Sequence, residues 1–275
     1  MKYYAACAGY TGNPDIASAI VYPPMRVLLS FYYYKKKGDL VKKLLRSGVE
    51  VLIDSGAFTA HNSGKTVDIN EYCKFIYDTG VSQYAGLDVI GDSKATMINQ
   101  KYMESVGLSP IPTFHMGSTI DEVEPLLEYG RIAFGGMVFN KGLRNHMDIL
   151  WSHILKRKPN IKIHGFWVTN LEFMARYPWD SIDSSNFQAC RRWGDQHMLW
   201  NGLKFRKFSA KEFYNLLRDH YLYPSHVLDD LKNIRYLEYL FSVNSYKMYA
   251  EHLNEINKHK KFEYLTSQGD LFDKQ

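Results

Sequence analysis

Cysteine is scarce in this 275-residue chain: Cys7, Cys73 and Cys190 stand far apart and in no C-x-x-C spacing. That argues against a disulfide framework and a thiolate zinc cage, and it fits a reducing compartment. Long apolar runs are missing too. No segment approaches membrane-spanning length, and the opening MKYYAACAGYTGNPD turns polar too soon for a signal peptide. A cytoplasmic protein with no membrane partner is expected. No G-x-G-x-x-G follows the first strand candidate, and no linker, low-complexity segment or convincing repeat interrupts the chain. Charge of one sign is not in great excess, with 34 Lys+Arg against 29 Asp+Glu.

What is present is an alternation. Hydrophobic residues make up 45% of the chain, enough for a full core. Short apolar runs read as strands at Arg26–Ser30, Val51–Asp54, Tyr84–Asp88, Ile111–His115, Arg131–Gly135, Ile161–Phe166 and Ser181–Asp183. Helix-period segments lie between them at Asp39–Ser47, Ile69–Thr79, Lys94–Val106, Ile120–Tyr129, Asn145–Lys156 and Asn170–Arg176. Asp68, Ser93, Thr119 and Thr169 stand where N-caps would start four of these helices. Seven or eight such units predict a parallel sheet closed into an irregular (β/α)8 barrel, with a doubly wound open sheet as the competitor. A barrel over 1–208 and a helical extension with a tail over 209–275 are expected, because the pattern turns helical from about Ser209.

In a parallel barrel the chemistry belongs where strands end, on the C-terminal face. Polar residues gather there: Asp54, Ser55 and Gly56 in VEVLIDSGAFT, Asp88 in GLDVIGD, His115 in IPTFHMG, Gly135 and Gly136 in AFGGMV, His164 in IHGFWVTN, and Asp183 in WDSIDSSNF. The paired glycines fit a flat wall against a planar ligand. Two reaction classes suit such a rim. One is glycosyl transfer through a carboxylate nucleophile and a second carboxyl acting as acid and base. The other is metal-assisted hydrolysis, with His115, His164 and Asp183 as ligands, although the first strands offer no histidine.

These motifs also carry a resemblance. DSGAFT, GLDVIGD, PIPTFHMG, FGGMV and HGFWVTN…YPWDSIDSSNF, spread over roughly Val49 to Arg192, follow the order and spacing of the tRNA-guanine transglycosylase (queuine tRNA-ribosyltransferase) family. The pattern is most similar to the short viral and bacterial DpdA-like DNA-guanine transglycosylases. The resemblance implies an irregular (β/α)8 barrel that exchanges guanine in a polynucleotide for a 7-deazaguanine base. It implies Asp183 as nucleophile, with Asp180 as the rival, and Asp54 as general acid/base. Ser55, Gly56, Asp88, His115, Gly135 and Gly136 would then contact the base. No metal or redox cofactor is implied. Only Cys190 follows Asp183, so the cysteine-rich zinc site of tRNA-acting members is missing, which favours DNA over tRNA and a host cytoplasm if the source is viral.

Three segments mix basic and aromatic residues, as phosphate contact and stacking would require: FYYYKKK, RRWGDQHMLWNGLKFRKF and NKHKK. Arg191, Arg192, Lys204, Arg206 and Lys207 are the nucleic-acid-binding candidates. The tail motif QGDLF resembles a bacterial sliding-clamp-binding pentapeptide, with Gln268, Leu271 and Phe272 as its contacts. The sequence-level expectation is therefore a DNA-guanine transglycosylase. Its alternatives are the tRNA enzyme, a metal-dependent barrel hydrolase, or a nucleic-acid-binding barrel without catalysis.

Overall fold

A computed structural model of the chain describes residues 1–6, 26–136, 141–188, 196–221, 228–229, 231–258, 260 and 262. Eight parallel strands form one sheet: β1 (Lys2–Ala6), β2 (Arg26–Ser30), β3 (Glu50–Asp54), β4 (Gln83–Tyr84), β5 (Thr113–His115), β6 (Arg131–Gly135), β7 (Lys162–Gly165) and β8 (Ser181–Ser184). Their order is β4-β3-β2-β1-β8-β7-β6-β5, and a parallel bridge between Ala85 and Ile111 joins the two outer strands. The protein is an α/β chain with a (β/α)8 TIM-type barrel. The open-sheet competitor fails at that bridge, which turns two edges into one seam.

Helices fill the crossovers: α1 (Phe31–Tyr34), α2 (Gly38–Arg46), α3 (Ala57–Asn62), α4 (Ile69–Thr79), α5 (Ser93–Ser105), α6 (Lys141–Arg157) and α7 (Leu171–Arg176). Beyond β8 come an antiparallel hairpin, β9 (Gln196–Trp200) with β10 (Phe205–Ser209), then α8 (Ala210–Asn215) and the long α9 (Leu231–Asn257). This C-terminal helical appendage lies against β1 and the hairpin. Tyr246 of α9 stacks on Tyr3 of β1 at 5.4 Å between ring centroids. No described helix is long and apolar enough to cross a membrane.

The strands are buried on both faces, as parallel strands under helices must be. Alternate residues separate two cores. Tyr4, Ala6, Leu28, Leu52, Ile111 and Ala133 fill the barrel interior, while Val27, Leu29, Val51, Ile53, Ile132, Phe134, Ile163 and Ile182 face the helices. A cluster of aromatic rings lies in the outer core beneath α6 and α7. There the Trp151 ring stacks on Tyr177 at 5.8 Å and meets Trp179 edge-on at 5.2 Å, with Phe134 completing the group. Gly165 is required beside it, since a Cβ there would stand 2.8 Å from the Trp179 ring.

Several expected elements differ from those observed. β1 is not among the expected strands; its parallel pairing with β2 and β8 makes it one. The β4 pairing stops at Tyr84 and the Ala85 bridge rather than running to Asp88. In place of a helix over Ile120–Tyr129 there are two 3-10 turns, Ile120–Glu122 and Glu124–Glu128, the second entered at Pro125, which lacks an N–H. Asp68 caps α4 as expected, accepting from the amides of Asn70 and Glu71. The caps of α5 and α7 are Asp92 and Asn170, each one residue from the expected Ser93 and Thr169.

Trp151 is 1% exposed at the centre of the aromatic group, so truncating it leaves a cavity that its rigid neighbours cannot fill. Trp151→Ala should cost about 3–5 kcal/mol of stability. Urea unfolding monitored by far-UV circular dichroism checks this, and a loss below about 1 kcal/mol would show that the group is not part of the cooperative core.

Candidate active site at the barrel mouth

Strand register decides which polar residues meet. Leu28 and Leu52 are paired and both point inward, so two residues on, the paired Ser30 and Asp54 point inward at the C-terminal end. Ile111 points inward, which places Thr113 and His115 on the same face. Ala133 pairs with His164, His164 with Ser181, and Asp183 with Tyr4, so all of these share the interior. The structure thus brings Asp54, Asp88, His115, His164 and Asp183 together. Asp180 does not join them. It precedes β8 at the opposite end, where its carboxylate lies 3.8 Å from Arg131.

Two histidine–aspartate pairs flank the mouth. His115 Nε2 faces Asp88 Oδ1 at 3.6 Å, and His164 Nε2 faces Asp183 Oδ1 at 3.4 Å. Burial pulls the His115 imidazole down, but the Asp88 carboxylate outweighs it and the net shift is upward. His164 is 1% exposed, and there burial wins over Asp183, lowering its pKa and favouring the neutral ring. Its tautomer follows from its neighbours. Ser181 Oγ accepts from Arg131 at 2.9 Å and lies 2.9 Å from His164 Nδ1, so the hydroxyl proton goes to Nδ1 and Nε2 carries the hydrogen toward Asp183.

Asp54 sits between the pairs. The residue keeps a partial opening to solvent, but protein surrounds its carboxyl. Burial raises the pKa to about 7, helped by the charges of Asp88 and Asp183 and opposed by the Ser30 hydroxyl and the Gly56 amide. The Gly56 N–H donates to Asp54 Oδ2 at 3.1 Å. Gly56 holds φ +76°, and a Cβ there would stand 2.6 Å from that of Tyr32, so only glycine permits the turn.

The remaining candidates take varied positions. Ser55 is fully buried, its hydroxyl 3.4 Å from the Ala57 amide at the start of α3. A Cβ on Gly135 would meet Thr113 at 3.2 Å and the His115 ring at 3.4 Å, so this glycine makes room for the imidazole as much as for any ligand. Gly136 follows it with φ +69°. Lys204, Arg206 and Lys207 lie in the β9–β10 hairpin, where the Arg206 guanidinium stands 5.4 Å over the Phe208 ring. Arg191, Arg192, Gln268, Leu271 and Phe272 lie outside the described residues. Among the described residues, no three His, Cys, Asp or Glu side chains are gathered as a metal cage.

Sequence reading missed two parts of the site. Trp167 is half exposed just past β7 with φ +57°, and its N–H donates to Asp183 Oδ1 at 3.0 Å. A left-handed tryptophan costs about 1–2 kcal/mol, and here it buys an amide aimed at the carboxylate. Arg131, at the start of β6, was read only as a strand residue. It reaches across the interior to Gln83 and Ser181.

No family model matches the chain, and no curated protein matches it. Among solved structures it is similar to a candidate fructose-1,6-bisphosphate aldolase from Coccidioides immitis, with 10% identity, 91% of this chain and 92% of that chain covered, and a TM-score of 0.50. It is also similar to a 4-hydroxy-2-oxoglutarate/2-dehydro-3-deoxyphosphogluconate aldolase from TTHB1, with 9% identity, 67% and 84% covered, and a TM-score of 0.44. These findings correct the transglycosylase expectation: no family model and no curated protein of that family matches the chain, and the similar structure with a TM-score of 0.50 carries an aldolase name. Guanine exchange in DNA or tRNA, the pentosyltransferase class and the 7-deazaguanine substrate fall with the resemblance. The physical reason is that each motif quoted for the resemblance ends a barrel strand, where polar residues and glycines collect in barrels of many functions.

A raised carboxyl pKa means that the folded protein holds the Asp54 proton more tightly than the unfolded chain does. The stability from this group is complete below about pH 4, falls as the pH rises toward about 7, and stays low above that. Asp54→Asn, uncharged throughout, should therefore be more stable than wild type by about 1–3 kcal/mol at pH 8, with the gain vanishing near pH 4. Thermal melts of both proteins across that range check it, and parallel curves would show that Asp54 titrates normally. The likeness of fold alone identifies (β/α)8 architecture and no family for this chain.

Proposed function

We propose that this protein is an acid–base enzyme that moves a proton at a carbon or hydroxyl beside a carbonyl group, at the C-terminal mouth of its barrel. The supporting observation is the Asp54 carboxyl, held at about 7 between two histidine–aspartate pairs. A carboxyl with a pKa near the operating pH can both take and return a proton. His115, shifted upward by Asp88, supplies an N–H for the oxygen on which negative charge develops. Asp183, backed by neutral His164, adds to the upward shift of Asp54. Enolisation and carbon–carbon cleavage of a hydroxy-carbonyl compound both belong to this class. The aldolase names of the similar structures add no weight at such identity. Among the described residues no barrel strand carries a lysine at its C-terminal end, so an imine to lysine on a strand is not part of the reading.

The test is hydrogen exchange in D2O on a panel of aldoses, ketoses, 2-oxo acids and their phosphates, followed by proton NMR. Wild type should wash deuterium into at least one compound, with the rate rising as Asp54 ionises through about pH 7. Asp54→Asn should lose about 10²–10⁴-fold. Absence of exchange across the whole panel, or equal rates in Asp54→Asn, would overturn the reading.

A further inference from the structure

The barrel wall has a seam beside the mouth. After the Ala85–Ile111 bridge and the Gly86 amide bond to Ile111 O at 2.9 Å, no further rung joins β4 to β5 among the described residues. The crossover after β5 is two 3-10 turns rather than a full helix. Between α5, these turns and β5 lies a cavity of about 300 Å³, whose lining includes Gly86, Met97, Gln100, Thr113, His115 and Leu126.

Three buried polar atoms on lining residues have no hydrogen-bond partner: His115 Nε2, which faces Asp88 at 3.6 Å, and Gln100 Oε1 and Thr113 Oγ1, on residues 2% and 6% exposed. The Gln100 amide is oriented by its nitrogen, which donates to Glu104 Oε1 at 3.0 Å and Pro110 O at 2.9 Å. Its oxygen is therefore an acceptor in want of a donor. A Cβ on Gly86 would stand 2.5 Å from that oxygen, so glycine there leaves it its place. Buried groups left unpaired in this way call for a partner.

We propose that the seam cavity seats the non-reacting part of the substrate: a small, mainly apolar group with an N–H or O–H that donates to Gln100 Oε1, with the Thr113 hydroxyl as a second contact. His115 belongs to both cavity and mouth, so a molecule seated in the seam reaches the acid–base groups. The inference rests on the acid–base reading for its word "substrate", and on the cavity alone for binding.

The probe is indole, apolar with one N–H donor, compared with benzothiophene, which has nearly the same shape and no donor. Side-chain amide NMR of the full chain should show saturable indole binding that shifts the Gln100 resonances, and benzothiophene should bind about fivefold more weakly. Met97→Trp, which fills the cavity, should abolish indole binding while the amide spectrum stays dispersed. Equal affinity for the two probes, or indole binding unchanged in Met97→Trp, would overturn the proposal. Indole binding without deuterium exchange in any carbonyl compound keeps the cavity as a ligand site and removes the acid–base reading. Exchange without indole binding does the reverse.

Discussion

A chain of hydrogen bonds runs inside the barrel from its floor to His164, the imidazole that faces Asp183 at the mouth, and the site depends on it. Glu50 accepts from Lys2 at 2.8 Å, Tyr4 at 2.6 Å, Gln83 at 2.9 Å and Arg26 at 2.8 Å. These donors overcome the cost of burial and hold the carboxyl at about 2. Gln83 then accepts from Arg131 at 2.7 Å, Arg131 donates to Ser181, and Ser181 fixes the tautomer of His164. Each member orients the next as far as His164, whose Nε2 faces Asp183 at 3.4 Å. A barrel interior closed by alkyl groups alone would pack as well but would leave the imidazole free to choose its tautomer.

Against that ordered background, Asp54 is a local conflict. Its carboxyl shares a confined mouth with two other acids, and glycine at position 56 allows the turn that keeps it there. Stability would favour an amide. A strained tryptophan backbone, a left-handed glycine and a raised carboxyl at one end of one barrel are costs of the kind that proteins carry at working sites. Left-handed glycines also stand at the opposite end, at Gly48 and Gly80, but among the described residues neither a left-handed non-glycine nor a raised carboxyl does.

The strands from β2 to β8 were legible because the apolar runs between polar ends are long enough to mark them. Five were found to within a residue at each end. Asp54, Asp88, His115, His164 and Asp183 were legible as a group for the same reason: they end those runs. Reading a family from them failed. Acid, histidine and glycine at strand ends are shared by barrels of unrelated chemistry, and their order along the chain follows from the order of the strands. Residues whose roles come from reaching across the interior gave no local signal. Arg131, Ser181, Gln83 and Gln100 are ordinary strand or helix residues until the barrel closes.

The sequence by itself determined the alternation of strands and helices, the parallel sheet, and the list of polar residues at the strand ends, because hydrophobic period and punctuation are local properties. Only the tertiary structure decided that the sheet closes, since that rests on one bridge between segments 26 residues apart, Ala85 and Ile111. It also decided which acid is raised. Asp54, Asp88 and Asp183 are alike on paper, and a pKa is set by burial and by the distance to other charges, neither of which a linear chain contains. The seam cavity is likewise invisible in one dimension, because a cavity is defined by walls that come from different parts of the chain.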